Sequence, residues 1–305
     1  MSVHSHFTAA RLWGALGIAA IAGTAYGALL VASPGSLTVR WLQLSLHLLT
    51  AFAYAWSTPL CVKIANDYRE RSTMRLAWRL IAASAAIAVI RHLFESLAVA
   101  AGWIDTRLTT LVSLRQIPIV VSLILLTAGL VAVWSSFTSI GMGLRFRRAD
   151  ALFIAIILAF VPSILSLRDE MFDRQSVYPI IRHLQVASPM LLAAPALVSL
   201  VLHRITQEMG GGPLATSLRC LVAFLVMRLL ALFLGLSPGI PVFTVASRTV
   251  WWAAAWLFAL AVFHRWQVTL AASELADRYE ADPDAELAGV THALALRSAQ
   301  PAAKN

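Results

Sequence analysis

The sequence has few charged residues. Asp, Glu, Lys and Arg make up 13% of the 305 residues, whereas a soluble domain has about a quarter. Hydrophobic residues make up 59%, and the mean hydropathy is +0.76. This composition excludes a soluble globular domain and a disordered chain, which carry far fewer apolar side chains. It is typical of a protein whose helices lie in lipid, where every backbone polar group must be satisfied internally.

Cysteine is also scarce, and catalytic motifs are missing. The two cysteines, Cys61 and Cys220, show neither CxxC nor metal-ligand spacing, so we expect no disulfide framework and no cysteine zinc site. The sequence contains no HExxH and no GxSxG motif, and the glycines at 210–212 lack the Lys-Ser/Thr of a P-loop. Serine-hydrolase and metal-hydrolase chemistry therefore have no support, and no catalytic residue or metal ligand is assigned.

Long apolar runs dominate what is present. A run of about 20 apolar residues can cross a hydrocarbon core of about 30 Å. Eight such runs can be marked, at approximately 12–32, 41–62, 76–101, 116–137, 149–167, 186–205, 216–236 and 246–269. The sequence therefore predicts an all-α integral membrane protein with eight transmembrane helices.

The formal net charge is +9, from 24 basic and 15 acidic residues. In a soluble protein this excess would suggest a nucleic-acid partner. Here the basic residues lie at span ends, where they orient helices and contact lipid headgroups. We therefore expect membrane lipids as partners, and no nucleic acid.

The basic residues are distributed unevenly between the two sides. One set of short connections carries Lys63, Arg69, Arg71, Arg75, Arg145, Arg147, Arg148 and Arg204. The other set carries Arg40, Arg107, Arg168 and Arg174, which are offset by Asp105, Asp169, Glu170 and Asp173. By the positive-inside rule this asymmetry predicts a bacterial-type inner-membrane protein with both termini in the cytoplasm.

Short internal matches indicate a repeat. They pair Arg40 with Arg182 at the start of the second and sixth spans, Arg115 with Arg248 at the start of the fourth and eighth, and Arg91 with Arg228 inside the third and seventh. We expect two tandem four-helix units, 1–145 and 146–270, followed by a short cytoplasmic tail, 271–305. Because four crossings restore the starting side, the units would be parallel and related by an axis along the membrane normal.

The paired arginines are the best candidates for a ligand site. Arg91 and Arg228 lie about 12–15 Å from the outer ends of their helices, where a charge usually faces the protein interior and has a partner. Glu95 is the only clearly intramembrane acid. We expect a periplasm-facing pocket between the units, which binds a phosphate, carboxylate or lipid headgroup for transport or sensing. Its expected residues are Arg40, Gln43, His47, Arg91, His92, Glu95, Arg115, Arg182, Arg228 and Arg248.

Other interpretations stay open at this point. Arginines at span ends ordinarily reach to lipid phosphates, and Arg91 and Glu95, at i, i+4 on one helix, can simply pair with each other. His47 and His92 lie near one depth on neighbouring helices, so a redox subunit could hold haem b or a quinone between them. A third alternative is a structural subunit that docks against other membrane proteins through its helices.

Overall fold

The computed structural model describes residues 3–68, 72–102, 109–139, 151–152, 154–155, 179–208, 213–235 and 240–281. Seven helices account for most of these residues, and none of these residues lies in a strand. The helices are α1 (Val3–Ala32), α2 (Leu37–Asn66), α3 (Thr73–Ala100), α4 (Thr109–Ser139), α5 (Pro179–Glu208), α6 (Pro213–Gly235) and α7 (Pro241–Ala281). Residues 1–266 form one compact body, and residues 267–305 form a second.

Six helices contain stretches long and apolar enough to cross a membrane. These stretches are Thr8–Ala32, Leu37–Asn66, Thr73–Ala100, Ile117–Ser139, Leu214–Gly235 and Pro241–Glu274. Helix α5 has a shorter described apolar stretch, Leu191–Ile205. The protein is therefore an all-helical, multi-pass membrane protein, which confirms the class that the composition predicts.

The described residues do not contain eight helices. Helices α5, α6 and α7 correspond to the predicted sixth, seventh and eighth spans. The predicted fifth span, 149–167, lies almost entirely outside the described residues, apart from residues 151–152 and 154–155. The seven helices match the other predicted spans: each begins before its span, and α3 and α6 end one residue before theirs. The longest extensions are at the start of α1 and at the end of α7.

Local sequence signals set where the helices begin and end. The hydroxyls of Ser36 and Ser72 accept hydrogen bonds from Val39 N and Arg75 N, so each serine caps the free amides at the start of α2 or α3. The last three helices each begin at a proline, which needs no hydrogen-bond partner in the first turn. Gly102, at a φ of 70°, turns the chain away after α3.

Neighbouring helices pack as antiparallel hairpins. In α3 and α4, Ser84 and Ser122 exchange hydrogen bonds, including one from Ser84 Oγ to the Ser122 carbonyl at 2.8 Å. In α6 and α7, Ser217 Oγ donates to the carbonyl of Ala261 at 2.7 Å, and Ser247 Oγ donates to that of Ala231 at 2.7 Å. Hydroxyl-to-carbonyl bonds of this kind join helices in lipid, where no hydrophobic force drives them together.

Helix α7 is surrounded by other helices. Every residue from Trp252 to Phe263 is buried, so no face of this segment is turned to lipid. Its rings contact those of α2 at successive levels, from Phe52 with Trp256 to Trp56 with Phe263. A helix that is apolar and buried all round is typical of the centre of a bundle.

Two glycines bring α1 close to α7. A Cβ atom at Gly27 would lie 2.7 Å from the Cα atom of Val245, and one at Gly23 would lie 3.0 Å from the carbonyl oxygen of Arg248. The spacing of these two glycines is the GxxxG pattern that allows close backbone approach between membrane helices. The hydroxyls of Thr24 and Thr249 share a hydrogen bond of 2.9 Å in the same contact.

An apolar cavity of about 30 Å³ lies between α3, α4, α5, α6 and α7. Its lining includes Trp78, Ile81, Leu130, Leu202, Leu221 and Val262, and Arg265 lies at its edge. The volume would admit a water molecule, but a buried water needs two to four polar partners. We therefore expect this cavity, called the apolar cavity below, to be dry.

Candidate functional site

A group of mostly buried polar and aromatic side chains lies within the body formed by residues 1–266, about a third of the way along the helices. We call it the polar cluster. It consists of His47 and Tyr54 on α2, Arg91, His92 and Glu95 on α3, Arg228 on α6, and Trp251 and Trp252 on α7. His47 is the eleventh residue of α2, so the cluster lies about 15 Å from the Leu37 end of that helix.

Glu95 is the centre of the cluster. Its Oε1 accepts a hydrogen bond from Arg91 Nε at 3.1 Å, across one turn of α3. Its Oε2 lies 3.0 Å from His47 Nδ1 and 3.7 Å from His92 Nδ1. One carboxylate therefore meets a guanidinium on one side and two imidazoles on the other.

The two histidines contact each other directly. His47 Nδ1 and His92 Nδ1 lie 3.1 Å apart, and His92 is fully buried. The rings of Trp252 and His47 pack edge to face with centroids 4.8 Å apart. The ring of Tyr54 stacks on that of His92 with centroids 6.0 Å apart. Aromatic packing therefore fixes both imidazole rings.

Arg228 is buried with only 5% of its surface exposed. Its Nη2 donates to the hydroxyl of Tyr54 at 3.1 Å, and its guanidinium carbon lies 4.1 Å from the centroid of the Trp251 ring. Arg91 also lies over Trp251, at 5.9 Å. Among the residues that the structure describes, no carboxylate is within 4.0 Å of Arg228.

Helix periodicity explains how each helix contributes its side chains. Arg91 and Glu95 are separated by four residues and lie on one face of α3, and His92 adjoins them. His47 and Tyr54 are separated by seven residues and lie on one face of α2. Because α2 and α3 form a tight antiparallel hairpin, the two faces meet at this level.

The structure brings together half of the ten predicted site residues. The five residues in the polar cluster are His47, Arg91, His92, Glu95 and Arg228. Arg40 is exposed about two turns before His47, and Gln43 has no hydrogen bond or ion pair with any other described residue. Arg248 lies over Tyr26 of α1, at 6.0 Å. The side chains of Arg115 and Arg182 lie outside what the structure describes.

Three residues of the cluster, Tyr54, Trp251 and Trp252, were not among the predicted site residues. Trp251 lies near a span end, where tryptophan is typical of the membrane interface, but here both Arg91 and Arg228 lie over its ring. Trp252 is 3% exposed and packs on His47. Tyr54 shares a helix face with His47, and that spacing is the one signal that could have found it.

The arrangement does not fit haem. In bis-histidine ligation a flat porphyrin separates the two imidazoles, yet here the ring nitrogens of His47 and His92 lie 3.1 Å apart. The ring centroids are 5.4 Å apart and inclined at 42°, which leaves no space for a macrocycle between them. The haem alternative for His47 and His92 is therefore not supported by the packing.

The cluster can instead bind small charged groups. With neutral histidines its described residues carry two positive charges and one negative charge, so they have a net charge of about +1. Nitrogen and oxygen atoms of His47, His92 and Glu95 that could ligate a metal ion lie within 4.8 Å of one another. Both an anion and a metal ion therefore have chemical partners here.

No protein-family model, no curated protein and no solved structure matches this chain.

Proposed function

We propose that this multi-pass membrane protein binds an anionic ligand at Arg91 and Arg228, and that it transports or senses that ligand. The ligand class is phosphate, carboxylate or a lipid headgroup that carries one of these groups. The observation that carries the proposal is the buried guanidinium of Arg228, which has no carboxylate within 4.0 Å among the described residues.

The charges of the cluster favour an anion. Both guanidinium carbons lie over the Trp251 ring, so they are at most about 10 Å apart. Two like charges at this separation repel by roughly 2 kcal/mol at an effective dielectric constant of about 20. Glu95 pairs with Arg91 and offsets part of this repulsion. A single bound negative charge would bring the described cluster to neutrality.

The contacts of Arg228 explain how it is tolerated before an anion binds. A charge in the middle of a membrane helix is unfavourable by about 2.5–3.5 kcal/mol on insertion scales. A hydrogen bond to a charged group contributes about 1.5–3 kcal/mol, and a desolvated cation–π contact contributes about 2 kcal/mol. Tyr54 and Trp251 together are therefore sufficient to hold Arg228 in place. The N–H groups that do not bond to Tyr54 are available as donors for a ligand.

The test is calorimetric titration of the purified protein in detergent with EDTA present. Inorganic phosphate and acetate are the soluble probes, and short-chain phosphatidylglycerol tests a lipid source of the same phosphate chemistry. We expect Arg228→Gln to weaken binding at least tenfold, and Arg228→Lys to weaken it less, because lysine keeps the charge and loses the bidentate fork. Binding should also weaken as salt rises.

The matched control is Arg219→Gln. Arg219 lies on the same helix, nine residues before Arg228, and is exposed. This variant should bind each probe like the unmodified protein. Equal binding by Arg228→Gln and Arg219→Gln, or no binding of any probe by the unmodified protein, would overturn the proposal.

We also propose that the chain has eight helices in two parallel four-helix units, with both termini in the cytoplasm of a bacterial-type inner membrane. The contacts between helices support this repeat. Helix α3 packs on α2 and α4, and α6 packs on α5 and α7. Helix α4 packs on α5, as α7 packs on α2. In the proposed repeat, α2 corresponds to α5, α3 to α6 and α4 to α7. If corresponding helices are exchanged, each of these contacts becomes another of them.

Reporter fusions test the topology. A reporter after residue 70, 147 or 305 should be cytoplasmic, and one after residue 105 or 172 should be periplasmic. An odd number of crossings, with the termini on opposite sides, would contradict both the topology and the repeat. This outcome would leave the anion site unaffected, because the site depends only on contacts within residues 1–266.

A further inference from the structure

Three ligand-type atoms from two helices converge inside the polar cluster. The distances are 3.1 Å between His47 Nδ1 and His92 Nδ1, 3.0 Å between His47 Nδ1 and Glu95 Oε2, and 3.7 Å between His92 Nδ1 and Glu95 Oε2. All three residues are buried. The atoms form a small, nearly regular triangle that no solvent reaches.

The size of this triangle matches a metal coordination shell. A circle through the three atoms has a radius of about 1.9 Å, whereas Zn²⁺ binds histidine nitrogen and carboxylate oxygen at about 2.0–2.2 Å. An ion displaced from the plane by less than about 1 Å would therefore contact all three atoms at a normal distance. A tetrahedral ion bound to these three atoms would take its fourth ligand on the side away from their plane.

The described residues satisfy the neutral imidazole of His92 only in part. A neutral imidazole carries one N–H, so His47 Nδ1 can direct one hydrogen toward Glu95 or toward His92, or share it between them. The other ring nitrogen of His92, Nε2, is buried and has no hydrogen-bond partner among the described residues. The polar contacts of this fully buried ring are thus concentrated at Nδ1, where three electron-rich atoms face one another.

We propose that His47, His92 and Glu95 form a binding site for a divalent first-row transition-metal ion such as Zn²⁺. Two imidazoles and one carboxylate suit this class of ion, whereas Mg²⁺ and Ca²⁺ prefer oxygen ligands. Arg91 acts as a positioning residue, because its bond to Oε1 of Glu95 aims Oε2 at the two histidines.

The charges link this metal site to the anion site. A divalent ion would raise the net charge of the described cluster from about +1 to about +3, which favours an anion as the fourth ligand. Binding of the two ligands should then be cooperative, and each should raise the affinity for the other by the same factor. The three metal ligands themselves do not rest on the proposed anion function, and either site can fail without the other.

The test is titration of the full-length protein with Co²⁺ in a phosphate-free buffer, followed by visible absorption, and measurement of bound Zn²⁺ after dialysis. We expect about one equivalent of metal and a rise in the unfolding temperature, since a ligand that binds only the folded state stabilises it. His47→Asn and His92→Asn keep a polar side chain and should lose binding at least tenfold. The matched control, His264→Asn on α7, changes a histidine outside the cluster and should bind like the unmodified protein.

Two results would overturn the metal site. One is the absence of a bound equivalent in the unmodified protein, both with and without added phosphate. The other is equal binding by His47→Asn and His264→Asn. Anion binding in EDTA, measured on Arg228→Gln and Arg219→Gln, is a separate readout, so its loss with metal binding intact would contradict the anion site alone.

Discussion

The polar cluster and the apolar cavity share three helices, α3, α6 and α7. On α3, Glu95 belongs to the cluster, and Trp78, about 25 Å nearer the start of the helix, lines the cavity. In the cluster, each charged or polar group has a particular partner, and charge determines which substitutions fit. Around the cavity, most of the lining side chains are apolar and pack without particular pairing, so volume determines which substitutions fit. The three shared helices should therefore be sensitive to changes of charge in the cluster and to changes of volume around the cavity.

The largest expected effect is that of Glu95→Gln, which removes the one carboxylate of the cluster. Arg91 would lose its ion pair with Glu95, and removal of one member of a buried ion pair typically destabilises a fold by about 3–5 kcal/mol. Thermal or denaturant unfolding in detergent measures the change. Glu274→Gln makes the same substitution at an exposed position and should have almost no effect.

A double variant sharpens this result. If charge determines the stability of the cluster, Arg91→Gln added to Glu95→Gln should recover part of the loss, because it removes the cation that Glu95 had neutralised. No recovery would show that shape is as important in the cluster as it is around the cavity, and the contrast between the two regions would disappear.

The next effect is expected at the cavity. Leu130 is 1% exposed and lines it, so Leu130→Ala should enlarge the void and destabilise the protein by about 2–4 kcal/mol. Leu97→Ala, at a position that is 65% exposed, should have a much smaller effect. Added phosphate should leave the Leu130→Ala penalty unchanged, as measured by unfolding. A penalty that varies with phosphate would mean that the two regions are energetically coupled.

A smaller effect is expected where α1 meets α7. A Cβ at Gly27 would lie 2.7 Å from a backbone atom, which cannot rotate away, so Gly27→Ala should destabilise the protein by about 1–3 kcal/mol. Gly14→Ala on the same helix meets nothing within 4 Å and should be neutral or slightly stabilising. Unfolding measurements on the pair separate close packing from helix propensity. Equal effects would show that α1 can move away from α7 without loss.

The smallest effect is expected from the loss of an arginine–tyrosine hydrogen bond, which occurs once in the cluster and once near the cavity. Arg228 donates to the hydroxyl of buried Tyr54, and Arg265 at the cavity edge donates to that of partly buried Tyr68. Tyr54→Phe should destabilise the protein by about 1–2 kcal/mol, and Tyr68→Phe by less than about 1 kcal/mol, since water or lipid headgroups can replace a bond near the surface. If unfolding shows equal losses, burial does not strengthen the pair in the cluster.

Sequence alone predicted the class of fold and five of the residues that the structure brings together in the polar cluster. Long apolar runs are a strong signal, since no soluble fold needs them, and seven of the eight predicted spans correspond to described helices. The depth of Arg91 and Arg228 was also informative, because a charge inside a membrane needs partners within the protein.

The partners themselves could not be predicted in the same way. His47 and His92 meet across a hairpin, 45 residues apart, so no local motif records the contact. Trp251 looks like any interfacial tryptophan until α7 is known to be the central helix. Arg40 and Gln43 share the helical face of His47, but Arg40 is exposed and Gln43 is only partly buried. Periodicity gives the face of one helix, whereas a site needs the arrangement of several.

The buried position of α7 also has a consequence for how the protein is made. The ribosome releases α7 after the six other described helices, yet α7 occupies the centre of their bundle. At about 5–20 residues per second, the earlier helices wait in the membrane for several seconds with lipid, or the insertion machinery, in its place. Until α7 arrives, the charged side chains of α3 and α6 have no tryptophan to cover them. A ribosome that stalls before residue 251 would therefore leave an intermediate whose intramembrane charges lack their tryptophan contacts.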